Sequence, residues 1–213
     1  MDMMIAALAL AATLTSNPQM LVQQAVKGDA AAVRQLRAMG QPAVDLLIRH
    51  KAPDPVLEAV CKQRDCRWSG LYWYTDLEEA KRVARKTGRP ILSLHLLGNL
   101  DEELSCANSR YFRTLLYSNL QIRAYLRANY VLHWKSVRPA PKLTIDFGDG
   151  RQMRRTITGN SVHYVLDSRG RRWVVVGMIN HPNAAAGQGA LDALIGWVAR
   201  GSRGATAPLG EEH

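Results

Sequence analysis

One stretch decides the fold: residues 91–134 read ILSLHLLGNLDEELSCANSRYFRTLLYSNLQIRAYLRANYVLHW. It opens with ILSLHLL, an apolar run of strand length, and ends in a second strand-like run, YVLHWKSV, which covers residues 130–137. Two helical segments lie between these runs, one from about Ser105 and one over about Leu120–Asn129. Strands that are separated by helices pair in parallel. The stretch therefore predicts a β-α-β unit in which ILSLHLL is a central strand.

A helix precedes this unit. Thr75-Asp76-Leu77-Glu78 predicts a capping box. In this motif the Thr75 side-chain oxygen accepts a hydrogen bond from the N3 amide, and the Glu78 side chain accepts one from the Thr75 amide. The helix continues to Gly88, which stands in the usual position just past a helix end. Its buried side chains are expected at helical spacing: Leu77, Ala80, Val83 and Ala84.

Further strands follow the unit. The segments LTIDFG and RRTITG, at residues 143–148 and 154–159, predict extended chain around a Gly148-Asp149-Gly150 turn. VHYVLD and WVVVGM predict two late strands at residues 162–167 and 173–178, joined as an antiparallel hairpin. A last helix over Ala190–Ala199 and a flexible tail at residues 201–213 complete the expectation. The sequence thus predicts an α/β domain over residues 67–200, with a mixed sheet flanked by helices.

A small helical module is expected at residues 17–66, because apolar residues recur there at spacings of three and four. The phrase AVRQLRAMGQPAVDLLIRH, at residues 32–50, resembles one HEAT-type helical repeat. A single repeat cannot bury its own apolar face, so the module should pack on the next domain or on a partner. Residues 61–70 are expected to form a polar connector.

The first sixteen residues leave two alternatives open. IAALALAATL at residues 5–14 has the size of the apolar core of a signal peptide, which favours export to a periplasmic or extracellular location. The preceding MDMM, however, carries Asp2 and no Lys or Arg. This favours the alternative of an ordinary first helix or a mis-set start codon, and with it a cytoplasmic location.

The chain is basic and has ordinary globular composition. Its 213 residues are 47% hydrophobic and carry a formal charge of +10. A basic surface can attract nucleic acid, anionic lipid or acidic proteins, but no nucleic-acid motif accompanies the charge, which favours a solvated basic face. No uninterrupted apolar run reaches about 18 residues, so we expect no transmembrane segment.

Residues 71–200 resemble the thioredoxin superfamily. Asp76-Leu77-Glu78-Glu79-Ala80 and Thr87-Gly88-Arg89-Pro90 are similar to the first helix and the entry to the first strand of one subgroup. Cys106-Ala107-Asn108-Ser109 falls where that family has its C-x-x-C active site. The later spacing is similar too, at Tyr117, Asn119, Ile122, Leu126, Tyr130 and Val131.

Two departures from the family pattern bear on function. Ser109 replaces the second cysteine, so the dithiol–disulfide cycle cannot close locally. Ser161 occupies the family's cis-proline position, and the bond before it is expected to be trans.

The resemblance implies catalytic candidates at Cys106, Ser109 and Arg110. A cysteine at a helix N-terminus, with Arg110 one turn later, could be a reactive thiolate that forms mixed disulfides with a protein thiol or disulfide partner. The alternative is a buried, inert cysteine. Two functions stay open: monothiol redox chemistry at Cys106, or a non-enzymatic binding module that uses the helical segment or the basic face.

The other candidate residues are weighed in the same way. His95 and His163 lie on predicted strands and could approach Cys106, although structural roles are favoured. Asp101, Glu102 and Glu103 would oppose a thiolate if they were close, but a solvated acidic loop is favoured. No His, Cys or carboxylate pattern has the spacing of zinc ligands, so the sequence predicts no metal and no cofactor.

The remaining cysteines can pair with each other. Cys61 and Cys66 are separated by four residues and would form a small disulfide loop in an oxidising compartment. A remote alternative is that one of them resolves Cys106 in place of the missing second cysteine, which needs Cα atoms within about 7 Å.

Overall fold

The computed structural model of the protein describes residues 17–169 and 171–173. Four expectations lie outside these residues: the leader at residues 1–16, the WVVVGM strand beyond Trp173, the helix over residues 190–199 and the tail at residues 201–213.

The N-terminal part of the described chain consists of short helices. They are α1 (Pro18–Val26), α2 (Ala30–Met39), α3 (Gln41–Arg49), α4 (Asp54–Cys61) and α5 (Cys66–Ser69). Asn17 and Asp29 cap α1 and α2 through their side-chain oxygens. Gly40 joins α2 to α3 with a φ of +71°, a conformation that glycine adopts without steric cost. These helices share one apolar cluster, to which Tyr72 also contributes.

The second part alternates helices and strands. Its helices are α6 (Leu77–Thr87), α7 (Ala107–Tyr111), a π-helical segment (Phe112–Leu116) and α8 (Leu120–Asn129). Its strands are β1 (Ile91–Leu97), β2 (Val131–Arg138), β3 (Lys142–Asp146), β4 (Gln152–Thr156), β5 (Ser161–Leu166) and β6 (Arg172–Trp173).

The main sheet is mixed and has the strand order β2-β1-β5-β6. β1 is central, as the sequence predicts: it pairs in parallel with β2, where Ile91 is opposite Val131, and antiparallel with β5, where Ile91 is opposite Leu166. β5 and β6 are antiparallel. β3 and β4 form a separate two-stranded antiparallel hairpin. The described chain is therefore a mixed α/β protein.

Helices cover both faces of the main sheet. On one face, Leu94, Leu96 and Leu132 pack with Tyr117 and Leu126 of the α7–α8 region. On the other face, Ile91 and Val131 pack with Ala80 and Ala84 of α6. The period of two along each strand accounts for this division. Among the described residues, no helix is long and apolar enough to cross a membrane.

One local expectation is wrong, and the expected buried face of α6 is confirmed in part. The cap of α6 is Asp76, whose carboxylate accepts a hydrogen bond from the Glu79 amide at 2.8 Å, whereas Thr75 was expected in this role. A carboxylate is the better acceptor at a helix N-terminus because it also interacts favourably with the helix dipole. Leu77 and Val83 are only partly buried, while Ala80 and Ala84 are fully buried.

The connector at residues 61–70 is also more ordered than expected. It contains α5, and Gln63 and Ser69 are buried within it. Gln63 donates to the Ser69 hydroxyl and accepts from the indole N–H of Trp73, both at 2.8 Å. Satisfied hydrogen bonds make burial of this polar side chain affordable. The connector therefore joins the helical part to the sheet.

Candidate functional site

Cys106 lies at the N-cap of α7, after the loop that follows β1. Its side chain is fully buried within the apolar cluster on the α7–α8 side of the sheet. The Cys106 amide donates to the Leu97 carbonyl at 3.2 Å, and the thiol donates to the Asn160 carbonyl at 3.6 Å. The cysteine is thus at a helix start, as the sequence predicts, but beneath other chain atoms rather than at the surface.

The segment at residues 157–161, named the covering segment below, lies over the start of α7. The Ala107 amide donates to the Thr158 carbonyl at 3.1 Å, and the Asn108 amide group donates to the Ser161 hydroxyl at 3.2 Å. Gly159 packs so closely on Asn108 that a Cβ there would collide with the Asn108 side-chain oxygen. Ser161 therefore contacts the segment at residues 106–109. No peptide bond in the described residues is cis, so the expected trans bond before Ser161 is confirmed.

Ser109 is buried and serves the backbone of its own helix. Its hydroxyl donates to the Cys106 carbonyl at 2.8 Å and lies 2.6 Å from the Ser105 hydroxyl. Ser105 in turn holds the hairpin, since its carbonyl accepts from the Thr156 hydroxyl at 2.9 Å. The Ser109 hydroxyl is therefore engaged in hydrogen bonds within the protein.

Two opposing effects set the acidity of the Cys106 thiol. Burial, the largest effect, raises its pKa, while hydrogen bonding with the Ser109 backbone and hydroxyl and with the backbones of Asn160 and Leu97 lowers it. The hydrogen bonds prevail, and the pKa lies below the ordinary value for cysteine. Arg110 lies in α7, and its charge is not among these causes.

The two candidate histidines lie on opposite faces of the sheet. His163 is on the Cys106 side, where its Nε2 lies 2.8 Å from the Tyr117 hydroxyl and burial lowers its pKa to about 4. His95 is on the other face, with its ring 4.8 Å from that of Tyr164. Since Leu94 is paired with His163 and His95 with Val162, the strand register separates the two rings. The expectation that both could approach Cys106 is therefore wrong for His95.

The three acidic residues before Cys106 form ion pairs with basic side chains. Asp101 pairs with Lys62 at 3.4 Å, Glu102 with Lys142 at 3.9 Å, and Glu103 with Arg64 at 3.9 Å. The expected solvated loop is found only in part, since Glu103 is exposed while Asp101 and Glu102 are half-buried, and none of them is among the groups that set the Cys106 pKa.

Arg113 is a buried residue near the site that the sequence analysis does not single out. Its guanidinium donates to the carbonyls of Glu102 and Glu103 and lies 3.0 Å from the Asp65 carboxylate. Burial lowers its pKa, which the Asp65 charge opposes. The available signal was spacing: Ser105, Ser109 and Arg113 recur every four residues, which places polar groups on one face of a helix.

The opposite face of the sheet carries a polar cavity of about 380 Å³. Within it the Ser93 hydroxyl lies 2.7 Å from Nδ1 of His133, and both side chains are buried. Burial lowers the His133 pKa to about 4, so the ring is neutral at physiological pH. The sequence analysis missed this pair because its partners sit on different strands and meet only through the β1–β2 register. The cavity is lined by Thr75, Asp76, Leu77, Ser93, His95, His133, Lys135, Tyr164 and Leu166.

The cysteines at the connector are joined to each other. Cys61 and Cys66 form a disulfide with Cα atoms 6.6 Å apart, and Cys106 is a free thiol in a different apolar cluster. The preferred pairing is thus the one formed, and no connector thiol is left to resolve Cys106. Within residues 17–169 and 171–173, no group of three or more His, Cys, Asp or Glu side chains could hold a metal ion.

The chain matches no family model, no curated protein and no solved structure.

Proposed function

We propose that the second part of the chain is a thioredoxin-like domain that acts as a non-enzymatic binding module. Three observations support the thioredoxin-like assignment: the mixed sheet with a parallel first pair, Cys106 at the helix start after the central strand, and the covering segment with Ser161 beside it. The observation that carries the binding role is the complete burial of Cys106. A thiol that substrate sulfur cannot reach does not exchange disulfides.

The hydrogen bonds around Ser109 support the same function. Its hydroxyl is engaged with the Cys106 carbonyl and the Ser105 hydroxyl, so the position of the missing second thiol has a structural use. The proposal includes export to an oxidising compartment, which the Cys61–Cys66 disulfide supports because such bonds are rare in the cytosol of mesophiles.

Thiol titration of the non-reduced protein tests the proposal. We expect Cys106 to be unreactive towards Ellman's reagent in the folded protein and to titrate as one thiol after unfolding in guanidinium. Cys106→Ser is the control and should give no signal in either state. Rapid reaction of the folded native protein, lost in Cys106→Ser, would contradict the binding role.

One observation favours a second candidate function, monothiol redox chemistry. Hydrogen bonding with Ser109 and with the Leu97 backbone, which lie outside the covering segment, acts to lower the pKa of the Cys106 thiol and would persist if that segment moved away, which would favour a thiolate. Under the binding function, insulin reduction by the native protein should be negligible, because Ser109 supplies no second thiol. Ser109→Cys should give no gain under the binding function, because positions 106 and 109 are both buried, whereas a partial gain with the fold intact would favour the redox function. Native turnover that Cys106→Ser abolishes would favour the redox function instead.

A further inference from the structure

The β3–β4 hairpin projects from the domain with most of its surface exposed. Every residue of β3 is exposed, and in β4 only Thr156 is buried. The hairpin has exposed large apolar side chains at Leu143 (46%), Ile145 (43%) and, just after β3, Phe147 (50%). A two-stranded hairpin is marginally stable in water unless a further surface covers one of its faces.

The register divides the hairpin into an apolar face and a polar face. Leu143 is paired with Arg155, and Ile145 with Met153, so these four side chains share one face. On the reverse face Thr144 is paired with Arg154 and Lys142 with Thr156. Arg154 and Arg155 are therefore neighbours in sequence with equal charge but lie on opposite faces.

The base of the hairpin is fixed to the domain. Thr156 donates to the Ser105 carbonyl at 2.9 Å, and Lys142 pairs with Glu102 at 3.9 Å. Since Ser105 and Glu102 belong to the loop that leads to Cys106, the hairpin is held in a defined position beside the helix start. A fixed, projecting apolar face is a preorganised docking surface.

The charges on the hairpin indicate an acidic partner. In the part of the chain that the structure describes, no carboxylate pairs with Arg154 or Arg155. A second copy of this chain fits poorly, because its net charge of +10 repels and a twofold contact would bring equivalent arginines together. Leu143, Ile145 and Met153 on one face need an apolar covering, which the phosphate backbone of nucleic acid does not supply.

We propose that the apolar face of this hairpin, formed by Leu143, Ile145, Met153 and Arg155, docks a protein segment that presents apolar side chains beside carboxylates. The inference rests on the proposed binding role and names the surface and the partner chemistry for it. The apolar side chains supply the buried area, and Arg155 selects for carboxylates.

The test uses the full chain and two synthetic peptides of alternating residues, one of isoleucine and glutamate and one of isoleucine and glutamine. Binding is measured by fluorescence anisotropy at fixed salt for the native protein and for Ile145→Ser, Arg155→Glu and Arg154→Glu. We expect the acidic peptide to bind, and Ile145→Ser and Arg155→Glu each to weaken it by about tenfold or more. Arg154→Glu, on the reverse face, should weaken it by less than about threefold.

Several results would overturn the inference: no binding of the acidic peptide, equal affinity for the glutamine peptide, or equal losses in Arg154→Glu and Arg155→Glu. Tighter binding of phosphatidylglycerol vesicles or duplex DNA than of the acidic peptide would also overturn it. All three changes are at exposed positions, so we expect the variants to fold. Circular dichroism checks this. Thiol titration keeps the two proposals separate, because a reactive Cys106 contradicts the binding role whether or not the peptide binds.

Discussion

At the scale of single residues, the surroundings of a side chain decide its chemistry more than its type. Cys106 and His163 both lie on the α7–α8 side of the sheet, and both would be candidate reactive groups by type. Cys106 is buried and donates to a carbonyl, and His163 is committed to the Tyr117 hydroxyl. Their surroundings and hydrogen bonds therefore give the Cys106 thiol and the His163 ring structural roles.

The free energy of unfolding should fall on mild acidification because of two histidines, the buried His133 and the half-buried His163. Burial lowers the pKa of His133 and of His163 from 6.5 to about 4. Between these values the unfolded chain binds a proton on each ring that the folded chain does not. The free energy of unfolding therefore keeps its full value above pH 6.5. From there towards pH 4 it falls by about 1.4 kcal/mol per pH unit for each histidine.

Urea unfolding at about pH 7 and about pH 5 measures this loss. His163→Gln keeps an acceptor for the Tyr117 hydroxyl and should reduce the pH-dependent loss by about half. The exposed His50 provides the control, because His50→Gln should leave the loss unchanged. Equal losses in the native protein and His163→Gln would show that His163 is not held neutral by burial.

At the scale of elements, contact between the covering segment and α7 keeps Cys106 inaccessible. The Thr158 carbonyl and the Ser161 hydroxyl bind the Ala107 amide and the Asn108 side chain. Gly159 permits this approach because it has no Cβ, and the nearest heavy atoms to one would all belong to Asn108. The contact depends on matched sizes at two positions that are far apart in sequence.

Gly159→Ala should therefore destabilise the protein by about 1–2 kcal/mol, because the added methyl group displaces the Asn108 amide from Ser161. In an Asn108→Ala background the same change should cost much less. Chemical denaturation of the four proteins in this double-mutant cycle gives the coupling energy. If the two losses in free energy of unfolding are additive, positions 159 and 108 are not coupled and the predicted steric contact is absent.

At the scale of the whole molecule, the helical part and the sheet share buried hydrogen bonds. The indole N–H of Trp73 donates to Gln63, and that of Trp134 donates to the Lys62 carbonyl, both at 2.8 Å. The guanidinium of Arg127 in α8 pairs with Asp45 in α3 at 2.6 Å. The helical part thus contacts the sheet-containing part through polar groups, while its apolar side chains form a cluster of their own with Tyr72. Trp73 and Trp134 lie where the two parts meet.

These shared contacts predict one cooperative unfolding transition. Ellipticity should follow mainly the helices and tryptophan fluorescence should follow the junction, so the two thermal midpoints should coincide. Gln63→Ala removes the partner of the Trp73 indole and should lower both midpoints together. Arg151→Ala, at an exposed ion pair on the hairpin, is the control and should leave them within about a degree. Two separate transitions would mean that the parts unfold independently.

Local patterns in the sequence predict most of the elements. Apolar runs and cap residues predict the central strand at residues 91–97, the helix at residues 120–129 and the hairpin around Gly148. They do so because helix and strand periods and turn residues act over a few neighbours. The same reasoning predicts the preferred Cys61–Cys66 pairing and a cysteine at a helix start.

The contacts between these elements, by contrast, follow from the tertiary structure. The burial of Cys106, the commitment of Arg113 to Asp65 and the Ser93–His133 pair each join groups from separate segments. The face of the sheet on which His95 lies follows from strand register, which is settled by packing across the whole domain. Local sequence is enough to predict which secondary structures form and which cysteine stands at a helix start. The accessibility of Cys106, the hydrogen-bond partners of the buried side chains and their pKa values depend on distances between segments that are far apart in sequence. The fold therefore sets them.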